Sequence, residues 1–365
     1  HTHCSSAARP TGLAAMSGAC CYKTRCCCRN KRWWWRRWRN APQLSTCCLR
    51  WTRAVAPIAL SARGLVRGSD RAGCATTTSS SAGADATSAK RIKLGISSYS
   101  YWHFRDPIVS IETVIDKTAR LGVEGVDILH RQMDAEDNGY LQKLKRHAFK
   151  NGVDLICLSI HQDFVDPDPE VRQRNIAHTE KCIELAYKMG IPSIRLNSGR
   201  WGTVKSFNKL MELRGKEPIL PGHTLDDGFK WCIDSIEKCL PKAAECGVML
   251  ALENHWGLAR TPEGLLRIAK AFDGNPWLGV LMDTGNFLEN PYKKLEMIAP
   301  RTTFVQAKTY YGGGEWYTLD LDYARIAGML KEVGFGGYVS LEFEGKAPAE
   351  EGVRKSVELL RSHLS

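Results

Sequence analysis

The chain of 365 residues is 43% hydrophobic and 25% charged, which excludes a disordered protein and allows one large domain or two ordinary ones. No stretch approaches the ~20 consecutive apolar residues that span a bilayer, so the sequence predicts no transmembrane helix. The formal net charge of +12 is uneven, because residues 1–90 hold 15 basic and two acidic side chains, a net charge of +13. Residues 91–365 are therefore nearly neutral, at −1, which argues against a nucleic-acid groove.

Residues 1–90 form a basic segment rich in cysteine, tryptophan and serine. Nine of the 14 cysteines lie there, and adjacent pairs such as Cys20 and Cys21 lack the spacing of a zinc site. We predict a disordered segment that is an organellar transit peptide or sequence outside the mature protein; a basic, aromatic arm for nucleic acid or anionic lipid is the third interpretation. The expected localisation is cytoplasmic, or plastid or mitochondrial if the segment is a transit peptide.

From residue 91 onward, a strand–helix unit recurs. A helical stretch ends at a glycine, one apolar residue follows, and a short β-rich run comes next. Because glycine closes helices in the left-handed conformation, these glycines predict helix-to-strand loops. They are Gly122, Gly152, Gly190, Gly247 and Gly334. With three further apolar runs, the pattern predicts eight strands, at residues 94–98, 126–129, 155–160, 193–196, 249–253, 278–283, 303–307 and 338–341.

The segments between the strands have helical periodicity. Apolar side chains recur at helical spacing at Phe229, Ile233, Ile236 and Leu240, and again at residues 353, 357, 360 and 364. Eight buried strands that alternate with helices predict an α/β protein with a (β/α)₈ TIM barrel at residues 91–365. The alternative is a doubly wound open sheet, which usually has a glycine-rich turn after its first strand; residues 97–101 here read SSYSY.

Functional groups of such a barrel lie at the C-terminal ends of its strands. Four oxygen-bearing side chains follow strands five to eight at intervals of 30, 23 and 36 residues: Glu253, Asp283, Gln306 and Glu342. A single acid at a strand end is more often a helix cap or a surface group. Three carboxylates converging on one mouth, however, repel each other unless protons or a cation offset their charge. The set therefore predicts a divalent metal site.

The segments GVMLALENH, VLMDTGNF and GYVSLEFEG contain three of these residues. On these segments, the chain from residue 92 to residue 364 resembles the xylose-isomerase-like barrels, and among them the tagatose/psicose 3-epimerase type of sugar isomerase and epimerase. The resemblance implies one catalytic divalent ion held by Glu, Asp, His and Glu, of which Glu253, Asp283 and Glu342 match three. The family usually reads His-x-Lys where this chain has Gln306-Ala307-Lys308. The amide leaves an all-oxygen ligand set, which favours Mn²⁺ or Mg²⁺ over Zn²⁺ and weakens binding.

Six further side chains near strand ends are predicted to contact substrate. Asn286 stands where family members often have a histidine that touches substrate. Trp102 follows strand one together with Tyr99 and Tyr101, and these aromatic side chains suit a wall against a sugar ring. The alternative for each residue is a structural role, such as an internal ion pair or aromatic packing. The six are Trp102, His161, Arg195, His255, Asn286 and Lys308. We interpret the long loop at residues 197–225 as a solvated insertion rather than a lid.

Together these features predict a metal-dependent isomerase or epimerase that transfers a proton next to the carbonyl of a sugar through an enediolate. Glu253 and Glu342 are the predicted catalytic pair, one removing the proton and the other returning one. An inosose-type dehydratase and a non-catalytic sugar-binding barrel are the alternatives. An apurinic endonuclease is disfavoured, because it would need a histidine-rich zinc centre. The expected partner is a small carbohydrate, with no nucleic acid and no membrane, and the sequence leaves a homo-oligomer open.

Overall fold

The computed structural model describes residues 91–364, so the prediction for residues 1–90 lies outside the described residues. Eight parallel strands follow one another in chain order around a closed barrel, in which β8 pairs with β1. This closure confirms the predicted TIM barrel and excludes the open sheet. The strands are β1 (Lys93–Ser97), β2 (Gly125–Leu129), β3 (Asp154–Ser159), β4 (Ser193–Leu196), β5 (Met249–Glu253), β6 (Leu278–Asp283), β7 (Thr302–Thr309) and β8 (Tyr338–Phe343).

The helices surround the barrel, and their ends follow the local sequence. Helix α6 begins with a capping box between Thr224 and Asp227, and the five glycines predicted to end helices all have positive φ, between 63° and 75°. No helix in the described part of the chain is long and apolar enough to cross a membrane. The helices are α1 (Tyr99–Trp102), α2 (Ile111–Arg120), α3 (Asn138–Lys150), α4 (Pro169–Met189), α5 (Phe207–Glu212), α6 (Leu225–Cys246), α7 (Pro262–Lys270), α8 (Pro291–Ile298), α9 (Tyr323–Glu332) and α10 (Ala349–Leu364).

Two apolar clusters leave one end of the barrel for polar groups. The larger cluster packs the strands against the helices, including the predicted stripes of α6 and α10. A separate cluster contains Ile156, Leu281 and Phe304, and Tyr338 packs against it from the first position of β8. Because burying unpaired polar groups among such side chains is costly, polar side chains gather beyond this cluster, at the C-terminal ends of the strands.

We expect a shortened chain that begins at Lys90 to unfold at the same temperature as the full chain. The reason is that residues 91–364 supply every strand of the closed barrel and the apolar cores packed on it. Thermal unfolding of both proteins, followed by circular dichroism, checks this. A loss of more than ~1 kcal/mol in the free energy of unfolding after truncation would show that the domain begins earlier.

Candidate active site

A cavity of about 820 Å³ opens at the C-terminal ends of the strands. Its charged wall contains Glu253, Glu342 and Glu344 together with Arg195 and Lys308. Six aromatic side chains also line it: Tyr99, Phe104, Phe207, Trp256, Trp316 and Tyr317. A cavity with convergent charges and an aromatic wall suits a polar small molecule that also has an apolar face.

The four predicted metal ligands are all buried at the ends of β5 to β8. Glu253 is 1% exposed, Asp283 and Gln306 are 0% exposed, and Glu342 is 6% exposed. Strand register places Asp283 beside Gln306 and Glu342 beside Lys308. Glu253 and Glu342 line the cavity, whereas Asp283 and Gln306 do not. The structure therefore brings the four to one end of the barrel, with the two glutamates facing the cavity.

Two buried cations lie among these carboxylates. The Nζ atom of Lys308 is 2.7 Å from Glu344 Oε1, 3.3 Å from Glu342 Oε2 and 3.6 Å from Asp283 Oδ2. On the other side, Arg195 Nη1 is 3.6 Å from Glu253 Oε2. Burial lowers the pKa of Lys308, but the neighbouring carboxylates raise it by more than burial lowers it. The pKa of Lys308 is therefore well above its usual value. Lys308 is therefore a permanent ammonium group and not a base.

Gln306 contacts a buried acid that the sequence analysis did not identify. Its Nε2 donates to Asp127 Oδ2 at 2.9 Å, and Ser159 Oγ donates to Asp127 Oδ1 at 2.8 Å. Burial raises the pKa of Asp127 to about 6, although both hydrogen bonds lower it. With its amide nitrogen committed to Asp127, Gln306 keeps a buried Oε1 atom without a hydrogen-bond partner. A lone aspartate inside the apolar run GVDIL was the sequence signal for this group.

The donor atoms present have the chemistry that a divalent cation requires. Three of the four predicted ligands have a buried oxygen without a hydrogen-bond partner, namely Glu253 Oε2, Asp283 Oδ2 and Gln306 Oε1. The cluster as a whole has more carboxylates than cations, because Asp127 and Glu344 add to the three acidic ligands while only Arg195 and Lys308 oppose them. A bound cation would offset that excess and give these oxygens a close partner.

The carboxylates must rotate to bind such an ion. Among the described residues, the only three His, Cys, Asp or Glu side chains whose ligand atoms all lie within 4.8 Å of one another are His130, His178 and Cys182, which are outside the cavity. In the absence of an ion, burial raises the pKa of Glu253 to about 7 and that of Asp283 well above its usual value. Protons therefore offset part of the negative charge until a cation replaces them.

Three of the predicted substrate contacts form a group at the cavity wall. Arg195 Nη2 donates to the carbonyl oxygen of Ile160 at 3.0 Å and lies 3.2 Å from His161 Nε2. Burial and the Arg195 charge lower the pKa of His161 to about 2, and they lower that of His255 well below its usual value. Both imidazoles are neutral, and His161 Nδ1 is buried without a partner. A neutral His161 that accepts from Arg195 has a free Nδ1–H to donate to a sugar oxygen.

Two predicted substrate contacts lie elsewhere. Trp102 is not among the residues that line the cavity; its ring packs on Phe104, with 4.8 Å between ring centroids. Asn286 does not line the cavity either, and its Nδ2 donates to Glu253 Oε1 at 3.2 Å. As placed, Asn286 orients the carboxylate of Glu253. Of the predicted aromatic wall, Tyr99 lines the cavity and Trp102 does not; Phe104 lines it beside Tyr99.

The loop after β4 contributes to the cavity, so the interpretation of residues 197–225 as a solvated insertion is wrong. This loop contains α5, and Phe207, Leu210 and Met211 line the cavity. Leu210 and Met211 pack with Trp256 in a small apolar cluster of their own. The helical spacing of the three apolar residues was the signal, and the surrounding lysines obscured it.

Asp163 is a half-buried acid of the cavity wall that the sequence analysis did not identify. Its Oδ1 accepts hydrogen bonds from the backbone N–H groups of Val165, at 2.9 Å, and Arg200, at 3.2 Å. It thereby joins the loop after β3 to the loop after β4. Burial raises the pKa of Asp163 to about 6.

Compared with wild type, Asp163→Asn should be more stable at pH 7 than it is at pH 4. Because the folded-state pKa is raised, the stabilising contribution of Asp163 is complete below about pH 4 and is lost as the pH rises through about 6. The amide keeps the acceptor without the charge, so the free energy of unfolding of the variant relative to wild type should increase by on the order of 3 kcal/mol between these pH values. Urea unfolding measures it. Asp163→Ala, which lacks the acceptor, should be ~2 kcal/mol less stable than Asp163→Asn at both pH values; a difference between Asp163→Asn and wild type that is independent of pH would contradict the argument.

Comparison with known proteins identifies similarity at two levels. The sequence profile described as xylose isomerase-like TIM barrel matches residues 115–363. No curated protein matches the chain in sequence. Several solved structures share its fold and are covered over nearly their whole length.

Three of these structures are sugar epimerases. The apo form of 3-keto-D-glucoside 4-epimerase YcjR from E. coli has a TM-score of 0.58 and 18% identity, over 74% of this chain and 100% of that chain. A D-psicose 3-epimerase solved in the presence of D-fructose has a TM-score of 0.59 and 18% identity, over 75% and 99%. The D-allulose 3-epimerase from Methylomonas sp., in complex with D-allulose, has a TM-score of 0.57 and 15% identity, over 75% and 98%. At these identities, the similarity is one of fold.

Proposed function

This chain belongs to the xylose isomerase-like TIM barrel family, and we propose that it is a sugar epimerase or isomerase that transfers a proton at a carbon next to a carbonyl. The observation that carries the proposal is the pair Glu253 and Glu342, two buried carboxylates from β5 and β8 that both face the cavity. Acid–base groups on two different strands reach a bound ring or chain from different sides, as epimerisation requires.

Each residue of the site then has a distinct role. Glu253 takes the proton, and Asn286 Nδ2 donates a hydrogen bond to its Oε1. Glu342 returns the proton from β8, three strands further around the barrel. Arg195 and His161 donate hydrogen bonds to substrate hydroxyl groups. Lys308 offsets negative charge that develops on the substrate oxygen when an enediolate forms.

We propose that Glu253, Asp283, Gln306 and Glu342 hold one divalent ion, and their oxygen atoms favour Mn²⁺ or Mg²⁺ over Zn²⁺. When bound, the ion polarises the carbonyl and makes the neighbouring C–H more acidic. The buried oxygens of Glu253, Asp283 and Gln306 that lack a hydrogen-bond partner support this assignment.

The proposed substrate is a keto sugar or its glycoside. The cavity of about 820 Å³ is toward the upper end of the roughly 300–1,000 Å³ common for small-molecule sites, so it admits a sugar with a substituent. Similar folds are found in epimerases of D-psicose, D-allulose and a 3-keto-D-glucoside. Phe207 and Trp316 contact each other edge to face, with 4.9 Å between their ring centroids, and offer an apolar surface for the substituent.

Proton exchange in D₂O tests the proposal directly. The full chain with Mn²⁺ is incubated with free and phosphorylated ketoses, aldoses and 3-keto glycosides, and NMR follows deuterium at carbons next to the carbonyl. We expect exchange together with formation of an epimer or isomer, and loss of both on chelation. A product that has lost water would identify a dehydratase instead.

One observation favours a second candidate, the sugar-binding barrel without catalysis. Lys308 lies between Asp283 and Glu342, so part of the charge of the metal site is neutralised by the chain itself. Such a protein would bind sugars equally well with and without Mn²⁺ and would exchange no proton in D₂O. Calorimetric titration with the same sugars, before and after chelation, distinguishes it from the enzyme.

Glu253→Gln, Asp283→Asn and Glu342→Gln should each weaken Mn²⁺ binding at least ~10-fold, because each removes an anionic ligand. Asp163→Asn removes a half-buried acid that is not a ligand and should leave the affinity unchanged. Gln306→His should shift preference toward Zn²⁺ or Co²⁺, since imidazole is a softer ligand than an amide. Isothermal titration measures all five variants; one-to-one binding of unchanged affinity in the first three would exclude this site.

A further inference from the structure

A second cluster of metal-binding side chains lies outside the cavity, between the turn after β2 and helix α4. His130 begins a short 3₁₀ turn (His130–Gln132), and His178 and Cys182 lie four residues apart on α4. The ligand atoms of all three lie within 4.8 Å of one another, which no other group of three His, Cys, Asp or Glu side chains does in residues 91–364. The proposed sugar chemistry uses none of the three.

The two α4 residues have the geometry of ligands to one ion. Residues four apart project from the same face of a helix. Cys182 Sγ lies 3.7 Å from His178 Nε2. In a tetrahedral zinc site, bonds of about 2.3 Å to sulfur and about 2.0–2.1 Å to nitrogen place these two ligand atoms about 3.6 Å apart. The observed separation therefore already matches one edge of such a tetrahedron.

The third side chain, His130, is oriented by a carboxylate. Its Nε2 lies 2.8 Å from Glu136 Oε1, and the other oxygen of Glu136 pairs with Lys181. When Nε2 donates to Glu136, Nδ1 keeps the lone pair that a metal requires. Histidine ligands commonly donate their second nitrogen to a carboxylate in this way, which fixes the ring and increases its basicity.

We propose that His130, His178 and Cys182 bind a zinc ion, with a fourth position open to water. One sulfur and two imidazole nitrogens form a softer ligand set than the oxygens of the cavity, and they favour Zn²⁺ over Mn²⁺ or Mg²⁺. The assignment is independent of the proposed sugar chemistry, since it depends on different residues and a different metal.

The zinc ion would cross-link the turn after β2 to α4. The neighbours of His130 in the chain, Leu129 and Arg131, both line the cavity. Because the ion would fix His130, it would also hold Arg131 at the cavity wall, and its removal would loosen that wall. The ion would thus support the position of a cavity residue.

Cobalt titration of the metal-free full chain tests the site. Thiolate-bound Co²⁺ gives a sulfur-to-metal charge-transfer band that the oxygen ligands of the cavity do not give. Residues 1–74 contain nine cysteines, so each variant is compared with wild type by difference spectra. Cys182→Ser and His178→Gln should remove a band of one thiolate–cobalt site and weaken Zn²⁺ binding there at least ~100-fold, and Glu136→Gln should weaken it ~10–100-fold. Cys232→Ser, at a buried cysteine of α6, is the matched control and should change neither.

His130→Gln guards against a folding defect, because this side chain is partly exposed and its loss does not open the core. Circular dichroism of the metal-free variants establishes that each is folded. The proposal is overturned if wild type shows no thiolate–cobalt band, or if the band and the Zn²⁺ stoichiometry are the same in wild type, Cys182→Ser, His178→Gln and His130→Gln.

Discussion

Glu253→Gln and Glu342→Gln should lower kcat by ~10²–10⁴-fold even at saturating Mn²⁺, whereas saturating Mn²⁺ should restore most of the activity of Asp283→Asn. The reason is that the two glutamates face the cavity, while Asp283 is fully buried and does not line it. A side chain without access to the substrate can bind an ion but cannot move a substrate proton. Steady-state kinetics across a range of Mn²⁺ concentrations separate the two roles.

The two glutamates should also differ from each other. If Glu253 removes the proton of one epimer and Glu342 that of the other, each variant should lose solvent exchange from only one of the two substrates. Measuring deuterium uptake from each purified epimer in D₂O shows this asymmetry. Should saturating metal restore all three variants equally, the glutamates would be ligands only, and the proton would have to move through another group of the cavity wall.

The sequence predicted the parts of this site that depend on local order. Glu253, Asp283 and Glu342 each end an apolar run, and a parallel barrel brings all strand ends of one direction to a single mouth. Helical periodicity and the helix-ending glycines were sufficient to predict that strands alternate with helices and therefore run parallel. The predicted boundaries of β4, β5 and β6 agree with the structure to the residue.

Contacts across the barrel could not be predicted in the same way. Gln306 and Asp127 are 179 residues apart in the chain, and nothing local to either one specifies that they pair. The same holds for Lys308, whose three carboxylate partners come from β6, β8 and the residue that follows β8. Side chains of this length reach several partners from one strand position. Only the packed barrel determines which of these partners each side chain contacts.

Lys308→Met tests how far the chain itself neutralises the acid cluster. Lys308 is 5% exposed and lies within 3.6 Å of three carboxylates, so its removal leaves buried negative charge without a counter-ion. Loss of one partner from a buried ion pair costs about 3–5 kcal/mol, and we expect a loss of that size in the free energy of unfolding without metal. Lys150→Met, at an exposed lysine of α3, should change stability by less than ~0.5 kcal/mol.

The pH and metal dependence of this loss identify its cause. Removing the ammonium group raises the folded-state pKa of the carboxylates further, so their protonated forms favour folding. The loss of stability should therefore shrink as the pH falls toward 5 and grow as the pH rises.

Glu344→Gln in the same chain removes one uncompensated charge and should recover part of the stability. Mn²⁺ should stabilise Lys308→Met more than it stabilises wild type, because the ion then supplies the only positive charge beside Asp283 and Glu342. Urea unfolding with and without Mn²⁺ measures each difference. A loss that is the same at pH 5 and pH 8 would show that Lys308 stabilises the barrel by packing rather than by charge, and equal stabilisation of both proteins by Mn²⁺ would place the ion away from these carboxylates.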